Sequence, residues 1–74
     1  MPVHIVMDRR GDSRHFFELA DARSLLDAEV RFNNLVGKGF RAVAPGEHGQ
    51  PGRLLRRFDQ TIEKTLFIPP LEGG

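Results

Sequence analysis

Only one stretch of this 74-residue sequence carries a helical hydrophobic period. Leu25, Ala28, Phe32, Leu35 and Val36 fall on one stripe of a helix, with Asp27, Arg31 and Asn34 off it. Asp27 and Arg31 are spaced as an i,i+4 ion pair. Asp21 is placed to cap the start, its carboxylate accepting from amides two or three residues on. Gly37 and Gly39 suit the C-terminal cap. The spacing predicts a helix over 22–36. Every other apolar run is short and alternating, as strands are. One helix must therefore cover one face of a sheet.

Val3, Ile5 and Met7 alternate in the first run, and Arg14 to Leu19 form a second. A turn centred on Gly11 pairs Ile5 with Phe17 and Val3 with Leu19 on an apolar face. It pairs Asp8 with Arg14 and His4 with Glu18 on the other face. Val6 and Phe16 then point outward together. Phe40–Ala44 and Arg53–Phe58 flank the loop Pro45–Gly52, in which three glycines and two prolines allow neither helix nor strand. Pairing Phe40 with Phe58 and Ala44 with Leu54 makes a core face. Val43 and Leu55 then share the opposite face, ringed by Arg41, Arg53 and Arg57. Asp59–Glu63 is a turn or short helical piece with Ile62 plugging the core. Lys64–Ile68 is the last strand, ended by Pro69 and Pro70, which cannot donate to a ladder.

The expected fold class is α+β. A mixed four- to five-stranded sheet with one main helix, the last strand inserted beside the first, is the β-grasp arrangement. Residues 1–70 form the domain, and 71–74 are left as a tail.

Composition removes several functions. A domain this small buries only about 60% of its unfolded surface, too little for a deep substrate cavity of its own. There is no cysteine, hence no disulfide, thiolate metal site or cysteine nucleophile. His4 and His15 are expected on opposite faces and His48 in the loop, so no metal is expected. The formal charge of +1 gives no whole-molecule pull toward nucleic acid or membrane. Nor do the arginines interleave with an exposed aromatic platform, since Phe40 and Phe58 are allotted to the core. No apolar run approaches the ~20 residues that span a bilayer, and no basic leader precedes the first strand. A cytoplasmic monomer is the expectation. Nine arginines accompany only two lysines, Lys38 and Lys64.

The tail carries the chemistry. Pro69–Pro70 holds an extended form at little entropic cost, and Gly73–Gly74 adds a thread without side chains. Such a thread can pass through a narrow tunnel and present its terminal carboxylate to a nucleotide. The segment Leu66-Phe67-Ile68-Pro69-Pro70-Leu71-Glu72-Gly73-Gly74 is similar to the tails of molybdopterin-synthase small subunits. The layout from Val3 through the Gly11 turn, the helix and the diglycine resembles ubiquitin and its bacterial relatives.

That resemblance implies a carrier or modifier rather than an enzyme. A partner activating enzyme would use MgATP to adenylate the Gly74 carboxylate, with Gly73 beside it and Leu71, Glu72, Pro69 and Pro70 read by the partner. A conjugating enzyme would then form an isopeptide bond to a target, and an isopeptidase would reverse it. The alternative it implies is a sulfur carrier with a C-terminal thiocarboxylate. The tail lacks the basic residues of eukaryotic ubiquitin, so the activating enzyme would be its own. Lys38 and Lys64 are the possible acceptors for a second copy. The face of Val43, Leu55, Arg41 and Arg57, with Val6 and Phe16, resembles the apolar, basic-rimmed partner surface of such proteins.

Overall fold

The computed structural model describes residues 1–71. Five strands and one helix follow the order β1 (Val3–Asp8), β2 (Gly11–Phe16), α1 (Ala22–Gly37), β3 (Arg41–Ala44), β4 (Arg53–Leu55) and β5 (Lys64–Ile68). The strands make one sheet in the order β2-β1-β5-β3-β4. The β1–β5 pair is parallel and the other pairs are antiparallel. The domain is thus a β-grasp fold with a central last strand and a single helix across one face.

The helix begins where its cap dictates. The Asp21 carboxylate accepts from the amides of Arg23 at 2.9 Å and Ser24 at 3.3 Å. It ends in a Schellman arrangement: Gly39 N–H donates to Val36 O and Phe40 N–H to Leu35 O, both at 3.0 Å. Gly39 sits at φ +97°, where a side chain is strained. Ala28 and Phe32 are buried, and Phe32 packs with Ala42, Leu55 and Phe67 in the core. Val6, Leu35, Val36, Phe40, Phe58 and Ile62 close around that cluster.

Both hairpins differ from the expected registers. The β1–β2 turn is Arg9–Arg10, tighter than a turn centred on Gly11, so Val3 faces Phe16, His4 faces His15 and Ile5 faces Arg14. Asp8 and Gly11 bracket this turn, and the Asp8 carboxylate accepts from Arg10 N–H at 3.1 Å. Asp at the first turn position and Gly at the fourth are the local signal that fixes it. His4 and Val6 consequently point to the helix, while Val3 and Ile5 lie on the other sheet face. They are buried there all the same, at 6% and 5% exposure, between Phe16 and Lys64 and between Arg14 and Leu66. Phe17 reaches the core just beyond β2, and Leu19 stays exposed.

In the second hairpin the pairs are Ala42–Leu55 and Val43–Leu54, one residue from expectation. A one-residue slip exchanges the two faces of a strand. Leu55 is therefore inside and Leu54 outside. The intervening loop is tight at Gly46, where a Cβ would run into the Gln50 carbonyl. At the next turn, the Asp59 carboxylate accepts from Thr61 N–H at 2.9 Å and from the Thr61 hydroxyl, bringing Ile62 against the core.

Candidate functional site

The segment leaving β5 is positioned by the helix end. A Cβ on Gly39 would lie 3.3 Å from Pro70 Cβ, so the absence of a side chain at Gly39 lets Pro70 pack down on the turn. Ile68, Pro69 and Pro70 line one side of an open, mainly apolar pocket, with Met7, Phe40 and the Asp8–Arg9 corner on the other. Leu71 borders the same pocket and is 94% exposed. Glu72, Gly73 and Gly74, on which the expected chemistry centres, lie outside the described residues.

The sheet face away from the helix is apolar at its middle and basic around it. Register places Phe16, Val3, Ile5, Met7, Leu66, Ile68, Val43 and Leu54 on this face. Phe16, Leu54 and Ile68 are exposed. Arg14, Arg41 and Lys64 share the face with one acid, Asp12, and Arg41 lies directly opposite Ile68. Of the surface residues expected from sequence, Val43, Arg41 and Phe16 belong to it. Leu55 and Val6 do not, because the two register differences turn them inward: Leu55 joins the buried core and Val6 packs against it. Arg57 is exposed just past β4. Lys38 is the exposed helix C-cap, and Lys64 is the exposed first residue of β5.

The residue that sequence reasoning misplaced most is His4. It is 1% exposed and ringed by four phenylalanines. The ring centroids of Phe17 and Phe67 lie 4.9 and 5.0 Å away, and those of Phe58 and Phe32 at 5.9 and 6.4 Å. Arg31 reaches in from the helix with its guanidinium nitrogen 3.3 Å from His4 Nδ1. A guanidinium can only donate, so Nδ1 accepts and the imidazole proton resides on Nε2. Burial, then the Arg31 charge, then His15 push the His4 pKa down from 6.5 to about 4.

His15 sits opposite His4 on the same face, with Ser13 Oγ 3.2 Å from its Nε2. Its pKa is also lowered, first by burial and then by Arg31. Burial lowers that of Arg31, and Asp27 partly restores it. Asp27 makes its closest ion pair with Arg23, at 3.5 Å, rather than with Arg31. A neutral imidazole sealed among aromatic rings holds the core together and is closed to any substrate. Alternation of His4 with Val3 and Ile5 offered no sign of this, because both faces of β1 are buried.

Among the described residues no three His, Asp or Glu side chains gather as a metal site requires. No helix among them is long and apolar enough to cross a membrane. No protein-family model, curated protein or solved structure matches the chain.

Proposed function

We propose that the chain is a ubiquitin-like protein modifier whose residues 69–74 are handed as a thread to a partner activating enzyme. One observation carries this reading. The central strand of a β-grasp sheet ends at Ile68, Pro70 is braced on Gly39, and Leu71 is almost fully exposed. A rigid root followed by a thin end is what a nucleotide-bearing tunnel can accept. The partner supplies MgATP. An oxygen of the Gly74 carboxylate attacks the α-phosphate, pyrophosphate leaves, and an acyl adenylate forms. A partner thiol and then a target amine displace AMP and the thiol in turn, leaving an isopeptide bond that an isopeptidase can hydrolyse. The use of ATP puts this work in the cytoplasm. The chemistry is the same whether Gly74 ends the chain as made or is exposed by cleavage.

The run Leu66–Gly74 favours a second reading, that of a sulfur carrier, because its Pro-Pro-aliphatic-x-Gly-Gly order resembles molybdopterin-synthase small subunits. There sulfide displaces AMP and leaves a thiocarboxylate. Incubation with ATP and the proteins encoded beside it, followed by intact mass, separates the two. Covalent adducts lost on deletion of Gly74 are expected. A thiocarboxylate without any protein adduct refutes the modifier reading, and adducts that survive the deletion refute both.

A further inference from the structure

The two edges of the sheet are built differently. β4 is three residues long, and every charge on it and just beyond it is a cation: Arg53, Arg56 and Arg57. A second β4 laid against it brings like charges together, which protects that edge. β2 is six residues long, has no proline or lysine, and carries one charge of each sign, Asp12 and Arg14. Among the described residues neither side chain makes an ion pair within the chain. Residues 11–14 and 16 are exposed.

The free hydrogen-bonding groups of β2 can be identified residue by residue. Phe17 N–H donates to Pro2 O at 3.1 Å, and the β1–β2 register puts Phe17 opposite Pro2. Amides alternate in direction along a strand. Gly11, Ser13, His15 and Phe17 therefore turn theirs toward β1, and Asp12, Arg14 and Phe16 turn theirs out of the sheet. An added antiparallel strand must bond through these three even-numbered residues. For two copies of β2 related by a twofold axis, this restricts the allowed registers. An axis at Asp12 or at Arg14 sets like charges face to face. An axis at Ser13 sets Asp12 of each copy opposite Arg14 of the other, each such pair exchanging two backbone hydrogen bonds.

The side chains agree with that register. Asp12 and Arg14 lie on the same sheet face, opposite Met7 and Ile5, so both cross-copy pairs form side by side on the outer surface. On the inner face His15 falls opposite Gly11, which has no side chain to obstruct it. Extended two residues further, the register places exposed Phe16 opposite Arg10, whose guanidinium can cover the ring.

We infer that the chain pairs with a second copy of itself through antiparallel β2 edges centred on Ser13, forming one continuous ten-stranded sheet. This departs from the expectation of a monomer and is independent of the proposed tail chemistry, since β5 and Pro69–Pro70 lie away from that edge.

Charge reversal tests the register. Asp12→Arg and Arg14→Asp each turn two attractive pairs into repulsive ones. Each variant alone is expected to dimerise at least about tenfold more weakly than the native chain in sedimentation velocity over a concentration series. Mixed one to one, the two variants regain opposite charges at both positions and should form a heterodimer of native strength. The double variant should dimerise with itself. Arg14→Pro removes an outward amide that the fold does not use, and should abolish pairing while circular dichroism stays native. A native chain that remains monomeric throughout the series overturns the proposal. So does a mixture of folded single variants that fails to associate.

Discussion

Acidification should destabilise this domain through His4. In the unfolded chain the imidazole titrates near its ordinary 6.5; in the core it titrates near 4. The folded pKa is depressed, so the unfolded state binds the extra proton throughout the window between those values. Stability is then complete above about pH 6.5, falls as pH drops toward 4, and levels off for this group below that. At about 1.4 kcal/mol per pH unit the loss amounts to about 3 kcal/mol. A 74-residue domain is expected to have only about 4–11 kcal/mol in all, so the change is a large share of the total. His15, lowered in the same direction, adds to it.

Urea denaturation from pH 7.5 to 4 gives the slope, and the His4 ring signal followed by NMR gives its midpoint. In His4→Phe the aromatic packing is kept and the titration is lost, so the pH dependence over this window should shrink to the share of His15. In Arg31→Gln the neighbouring charge is gone and the His4 midpoint should rise. A His4 midpoint near 6.5, or an undiminished slope in His4→Phe, would refute the reasoning.

Three other changes probe the ends of the helix. Gly39→Ala places a methyl group at φ +97° and against Pro70, and should lower stability by about 1–2 kcal/mol in urea denaturation; Gly37→Ala, which meets nothing within 4 Å, should be neutral or stabilising by up to about 1 kcal/mol. Asp21→Ala removes a carboxylate that serves two amides and should cost about 1 kcal/mol by the same assay.

The elements governed by local chemistry were legible in the sequence. The helix from Ala22 to Gly37 follows from the Asp21 cap, the Leu25–Val36 stripe and the closing glycines. β5 follows from a short, largely apolar run stopped by two prolines. What local signals left open was register. In the first hairpin, Gly11 drew the turn toward itself, although Asp8 and Gly11 as first and fourth residues bracket a shorter one. In the second, a loop of eight residues imposes no register, and two adjacent leucines, Leu54 and Leu55, satisfy either face. Both errors have the same consequence: they exchange inside and outside, so Val6 and Leu55 were read as surface and His4 as a cross-strand partner of Glu18.

His4 also shows why the observed register prevails. Its four phenylalanines come from the end of β2, from α1, from the segment after β4 and from β5, so one side chain touches nearly every element of the fold. Shifting β1 by one residue would send the imidazole to the outer face and bring Val3 or Ile5 under the helix. That would exchange an aromatic for an aliphatic chain and leave the half-buried Arg31 guanidinium without its acceptor. The alternative is thus penalised through the helix as well as the sheet. The same slip would set His4 and Val6 on the outer face in place of Val3, Ile5 and Met7, and so break up the apolar middle of that face.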